Sequence, residues 1–264
     1  MRLKITHRTE YRYDVPLGYA LERLRLTPYS GGAQTVHAWS LAIEGAREEV
    51  RFVDQFGNET ILISAEGGPH VISVEARGEV ETRDAAGVTG PHRGFAPLWL
   101  FEHQTKLTAP GEGIARLAGT ISEGSELDRL HQLMAVVAES VVYVKGSTDA
   151  ATPAEEALQR KSGVCQDHAH VFISAARLLG FPARYISGYL WTDESGEYAA
   201  SHAWAEAHVE ALGWVGFDPA NGMSPDERYV RLATGRDYRD AAPVSGIRLG
   251  QASEQLAVSV TVEQ

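Results

Sequence analysis

The chain has 264 residues, 44% of them hydrophobic and 22% charged, an ordinary composition for a soluble globular protein with material for one large core or two modest ones. Its 24 Lys and Arg against 35 Asp and Glu leave a net charge of −11, which argues against phosphate-backbone binding and so against nucleic acid as a partner. One cysteine precludes an intramolecular disulfide, and no run approaches the roughly 18 apolar residues of a membrane span, so a reducing, cytoplasmic setting without membrane insertion is expected.

The N-terminal Met1-Arg2-Leu3-Lys4-Ile5-Thr6-His7-Arg8 alternates apolar with polar residues and lacks the apolar centre of a signal peptide, so it reads as a first strand. Tyr11 and Tyr13 continue the alternation, and Leu21, Leu24 and Leu26 mark a second strand. Val50 to Asp54 and Thr60 to Ile63 flank the polar Gln55-Phe56-Gly57-Asn58-Glu59, which predicts a hairpin. Gly67-Gly68-Pro69 breaks the chain again before Val71 to Ala76. Short strands at this spacing predict an antiparallel, sandwich-like β domain over residues 1–95.

From about residue 90 the apolar period becomes helical. Leu127, Leu130, Met134, Val137 and Val141 fall on one face, with Ser125 as N-cap and Asp128 three residues on. For the next helix, Thr152 suits the N-cap, Pro153 the first helical position and Glu155 the reciprocal cap, with an end near Lys161 before Gly163. Cys165, Ala169, Phe172, Ile173, Ala176 and Leu179 then predict a helix closed by Gly180 and Pro182, with Ser162 as a possible cap.

Strands follow over 183–191 and 200–210. The second sets His202, Trp204, Glu206 and His208 on one face and Ala203, Ala205, Ala207 and Val209 on the other, a small-residue face suited to a closely packed helix. Gly213 turns the chain into Trp214 to Phe217, and Asp218-Pro219 ends that strand. The second domain is expected over 96–250, with a C-terminal strand in 251–264 free to return to a sheet.

A lone cysteine is more often a small buried hydrophobe than a nucleophile. Here, however, Cys165 falls in the first turn of a helix, where free N–H groups and the helix dipole favour a thiolate and can hold an oxyanion. His202 follows 37 residues later and Asp218 after a further 16. A thiol, a base and a group to orient the base are the parts of cysteine acyl-transfer chemistry. His168 and His170 read as satisfied polar positions of the helix, and Trp204 and Trp214 as core. No zinc spacing, calcium loop, phosphate-binding glycine loop or serine elbow is present, so neither a metal nor a cofactor is expected.

At these residues the chain resembles the transglutaminase-like superfamily. The resemblance is carried by Gly163-Val164-Cys165-Gln166-Asp167-His168-Ala169-His170, Pro182-Ala183-Arg184-Tyr185-Ile186-Ser187-Gly188-Tyr189, Ser201-His202-Ala203-Trp204 and Gly213-Trp214-Val215-Gly216-Phe217-Asp218-Pro219-Ala220-Asn221-Gly222. The first ~90 residues look like the β-rich region that precedes this core in bacterial relatives. The resemblance implies an α+β fold with a papain-like layout, the cysteine at a helix tip facing an antiparallel sheet. It implies Cys165 as nucleophile, His202 as base and Asp218 as the group orienting it. Tyr143 is then the candidate oxyanion donor, with Gln166, Asp167, Trp204 and Asn221 as supporting candidates. Expected activities are hydrolysis of a peptide or amide, with a peptide, protein or small amide as substrate, or γ-glutamyl transfer to an amine. A binding module with an idle triad is the reading from another class. Oligomeric state is not legible.

Overall fold

The computed structural model of the chain describes residues 1–192, 201–250 and 253–264. Its first half is built from β1 (Arg2–Tyr13), β2 (Tyr19–Thr27), β3 (Gln34–Glu44), β4 (Arg47–Val53), β5 (Glu59–Glu66) and β6 (Val71–Thr82), followed by a short β7 (Val88–Gly90). A 3-10 turn at Leu98–Glu102 leads to α1 (Glu112–Gly119), α2 (Glu126–Ser140), β8 (Val142–Tyr143), α3 (Ala154–Arg160), β9 (Ser162–Gly163) and α4 (Cys165–Leu178). The remainder comprises β10 (Ala183–Leu190), β11 (Ser201–Val209), β12 (Gly213–Phe217), β13 (Tyr229–Gly235), α5 (Tyr238–Ala241), β14 (Val244–Leu249) and β15 (Glu254–Glu263). Ala200, the first residue of the strand predicted over 200–210, lies outside the described residues.

Two antiparallel sheets, ordered β15-β1-β6-β3 and β14-β2-β5-β4, form the N-terminal sandwich. In β1 the strict alternation buries Leu3, Ile5, His7, Thr9, Tyr11 and Tyr13 on one face. Leu24, Ile61, Ile63, Ile72 and Val74 join that core, and so do Tyr189, Val230 and Leu232 from the second half, so the two halves share one continuous apolar joint. The β4–β5 hairpin turns where Asp54 Oδ1 accepts the N–H groups of Phe56 and Asn58.

The second half is a sheet ordered β13-β10-β11-β12-β7, antiparallel throughout, with α4 against one face. Ala203, Ala205 and Ala207 of β11 present only methyl groups to α4, which lets Ala169, Phe172, Ile173 and Ala176 come close. Helices α1, α2 and α3 cover the other side of α4, which explains why the helix is buried almost all round. Fold class and layout follow the sequence expectation, a mixed α+β chain with a β-rich N-terminal region.

Three local expectations are corrected. Thr152 does not cap α3: its hydroxyl bonds Asp149, Pro153 takes the cap position, and the helix begins at Ala154. Glu155 does not reach back within its own helix. Its carboxylate instead accepts the N–H groups of Gly111, Gly113 and Ile114, capping α1 across the fold. Ser162 sits in β9, and the cap position of α4 belongs to Val164. Ser125 does cap α2, accepting the Asp128 N–H.

Candidate active site

Cys165 is the first residue of α4, so its N–H and that of Gln166 have no intrahelical acceptor. The approach to this tip is fixed by Asp167, whose Oδ2 accepts the Val164 N–H at 2.7 Å and the Thr148 hydroxyl at 2.6 Å. Gly163 makes this possible, since a Cβ there would stand 2.6 Å from the Asp167 Cβ. Burial raises the Asp167 carboxyl above its ordinary range, although both hydrogen bonds oppose it. His168 is buried beside it, one ring nitrogen on the Val164 carbonyl at 2.9 Å and the other on the Val141 carbonyl at 2.8 Å. It thereby ties the helix tip to the segment that carries Tyr143. His170 is likewise interior, its Nε2 accepting the Tyr238 N–H.

β11 and β12 pair antiparallel with Ala205 opposite Phe217, which places His202 and Asp218 beside each other just beyond that register. His202 Nε2 lies 2.6 Å from Asp218 Oδ2, and the ring is near enough to Cys165 for the sulfur to raise it. With Nε2 committed to the carboxylate, Nδ1 is the nitrogen left to exchange a proton with the thiol. Burial works against charge on His202, but the Asp218 hydrogen bond and the negative charges of Asp218 and Cys165 outweigh it and push the imidazole up to about 10.

Asp218 is fully buried and fully engaged. Oδ1 accepts Ala220 N–H, while Oδ2 accepts the Asn221 amide at 2.7 Å and the Tyr229 hydroxyl at 2.8 Å as well as His202. Burial alone would raise this carboxyl, yet the His202 bond and charge, with Asn221 and Tyr229, hold it below the usual carboxylate range. Trp204 lies nearly parallel to the His202 ring, at 6.3 Å between centroids, and meets Tyr229 edge to face. Gly188 leaves room for that indole, as a Cβ there would stand 2.5 Å from its rim.

The structure thus brings Cys165, His202, Asp218, Trp204 and Asn221 into one contact network, with Asp167 behind the helix tip. Gln166 lines the adjoining cleft. Tyr143 stands on β8, paired with Gly163 and 44% exposed. Its hydroxyl is raised first by burial and then by the negative charges of Cys165 and Asp218. Tyr229 is not among the sequence candidates. Its only signal is the strand-forming run Tyr229-Val230-Arg231-Leu232, which says nothing about a carboxylate.

A cavity of about 340 Å³ opens beside Cys165, between the α4 tip and the face of the N-terminal sheet formed by His7, Thr9 and Tyr11 of β1 with Leu256 and Val258 of β15. Among the described residues no group of three or more His, Cys, Asp or Glu is arranged to hold a metal ion, and no helix is long and apolar enough to cross a membrane.

Comparison with known proteins gives consistent results. Residues 115–219 match the transglutaminase-like superfamily, and residues 3–81 match the bacterial transglutaminase-like N-terminal region. An uncharacterized protein of Mycobacterium leprae is 29% identical over 99% of this chain and 98% of its own length. One from Mycobacterium tuberculosis is 28% identical over 99% of this chain and 92% of its own. A crystal structure of a candidate cysteine protease from Cytophaga hutchinsonii shares the fold across all of this chain and 91% of that one, with a TM-score of 0.78 at 22% identity. Both regions match, in the order in which the two halves fold, so this chain carries a transglutaminase-like superfamily core preceded by a bacterial transglutaminase-like N-terminal region.

Proposed function

We propose that the chain is a cysteine hydrolase that cleaves a peptide or amide bond through a thioester on Cys165. The observation that carries this reading is His202 hydrogen-bonded to the buried Asp218 and set beside Cys165, which opens a helix. The Cys165 sulfur, as thiolate, attacks the carbonyl carbon. The oxyanion is held by the Cys165 N–H and the Tyr143 hydroxyl. As the tetrahedral intermediate collapses, the His202 imidazolium gives its proton to the departing amine, leaving an acyl thioester and a neutral imidazole. Water then adds to the thioester, its proton passing to His202, and the carboxylic acid leaves as the thiolate re-forms. Asp218 orients His202 throughout and stays ionised.

Water is favoured over an amine as acceptor by the lining of the cleft. None of the described residues lining it is an Asp or Glu, so none of these supplies a carboxylate to draw in a lysine ammonium. His7 in its floor is held neutral, burial lowering it to about 4. The lining suits an uncharged, partly apolar acyl donor. γ-Glutamyl transfer is the second reading, supported by the superfamily match.

The test is incubation with glutamine-containing peptides and a fluorescent primary amine, following amine release and amine incorporation together. Release without incorporation, abolished in Cys165→Ala, is expected. Incorporation would move the assignment to a transferase. Neither product across a broad peptide set, together with a thiol that alkylates like free cysteine, would leave only the binding-module reading.

A further inference from the structure

On the face of the central sheet turned away from α4, Glu206 is buried between two arginines. Its Oε2 accepts Arg184 Nε at 2.7 Å and lies 3.2 Å from Arg231 Nη2. Two guanidinium groups therefore share one carboxylate, leaving a surplus buried positive charge, which is costly unless something answers it. Arg184 is pulled down to about 10, first by burial and, among its neighbours, by the charge of Arg231, so it stays protonated at neutral pH. Arg231 is held by the Tyr29 hydroxyl at 2.8 Å and the Thr234 hydroxyl at 2.6 Å. Its side chain is more than nine-tenths buried, and neither its Nε nor Glu206 Oε1 has a hydrogen-bond partner among the described residues.

Both arginines line a cavity of about 310 Å³, distinct from the cleft beside Cys165, and the exposed Arg93 lines it too. Thr89, Ser30 and Tyr29 add hydroxyl-bearing side chains, and no Asp or Glu is among the described residues around it. In a chain with a net charge of −11, this concentration of three arginines is a local device and not the overall field.

We propose that this cavity binds a small dianionic oxyanion, of the phosphate or dicarboxylate kind, between Arg93, Arg184 and Arg231. Planar guanidinium groups pair with such oxygens through two parallel bonds, and here Arg184 and Arg231 set their charge at the wall of the cavity while Arg93 adds an exposed guanidinium. The bound anion would offset the surplus charge beside Glu206. The site is four residues along β11 from His202 and two along β13 from Tyr229, but its occupancy does not depend on the thiol chemistry.

The experiment is calorimetric titration of the full chain with inorganic phosphate, and separately with succinate, at ionic strength held constant with sodium chloride. Saturable binding of either ion is expected, and which one binds identifies the source of the oxyanion. Arg93→Ala, a surface change that leaves the fold intact, should weaken it about fivefold. Arg231→Lys, which keeps the charge but loses the fork, should weaken it further. Cys165→Ser should bind as the unaltered chain does, separating this site from the candidate active site. Absence of binding beyond the chloride control, or binding unchanged in Arg93→Ala and Arg231→Lys, overturns the proposal.

Discussion

Tyr229 donates its hydroxyl to the same oxygen of Asp218 that receives His202, at 2.8 Å against 2.6 Å for the histidine. With the Asn221 amide, three donors on one buried carboxylate oxygen fix its direction, and the direction of the carboxylate fixes the imidazole plane. Tyr229→Phe removes one donor and keeps the ring against Trp204. Stability should fall by about 1 kcal/mol in urea unfolding. Turnover should fall more than substrate affinity, because the loss acts through the orientation of His202. Unchanged turnover would mean that Asn221 and the backbone hold Asp218 sufficiently by themselves.

The raised His202 has a pH consequence whose sign is definite. Its folded value of about 10 exceeds the unfolded 6.5, so its contribution to stability is complete below about pH 6.5 and is lost as pH rises through about 10. The difference in melting temperature between the unaltered chain and His202→Gln should shrink steadily over that window. In the same window the imidazolium beside Sγ favours a thiolate, so iodoacetamide should label Cys165 rapidly already at pH 6–7. In His202→Ala that early rate should collapse. Slow labelling that rises only above pH 8 in both proteins would contradict a thiolate–imidazolium pair.

Glu155 offers a prediction about the fold alone. Burial would raise its carboxyl, but the N–H groups of Ile114, Gly113 and Gly111, with the Gln159 amide, hold it below the ordinary value. Its stabilisation is therefore present above about pH 4.5 and lost as pH falls further. Glu155→Ala should cost about 1–2 kcal/mol at pH 7, measured by urea unfolding, and less near pH 3. The rate of Cys165 alkylation should not change, since Glu155 bonds the start of α1 and none of the groups that fix the tip of α4.

What the sequence made legible divides along local and non-local lines. The alternation in β1, the Ala face of β11 and the start of α4 at Cys165 are period signals within one element, and all appear in the fold. The β-rich first half and the helix-on-sheet second half were readable for the same reason. Contacts made across the fold were not. The Glu155 spacing suited a local capping box, yet α1, more than forty residues earlier, offered three free N–H groups in better geometry. Tyr229 reaches Asp218 because β13 and β11 flank β10, an adjacency that no spacing encodes. Likewise, Leu256 and Val258 border the cleft only because β15 returns to β1 at the opposite end of the chain.

Gly163 tests how tightly the helix tip is built. A methyl group there meets the Asp167 Cβ at 2.6 Å and its Oδ2 at 2.8 Å, so Asp167 must shift. That shift would loosen the bonds to Val164 N–H and Thr148 that aim the first turn of α4. Gly163→Ala should cost roughly 1–3 kcal/mol and slow Cys165 alkylation at pH 7. A variant of unaltered stability would show that the tip has room that the geometry denies.

Tyr143 separates activation of the thiol from stabilisation of the oxyanion. It pairs with Gly163 at the entrance to α4, and its hydroxyl senses the negative charges of Cys165 and Asp218. It makes no bond to His202, so Tyr143→Phe should leave the alkylation profile of Cys165 where it is. In the reaction itself a missing oxyanion donor is felt only at the tetrahedral stage, so kcat should drop roughly 10- to 100-fold with little change in KM. The remaining rate would come from the Cys165 N–H at the helix N-terminus. A kcat within twofold of the unaltered enzyme would transfer the second donor to another group, with the Gln166 side chain, already in the cleft lining, the next to substitute.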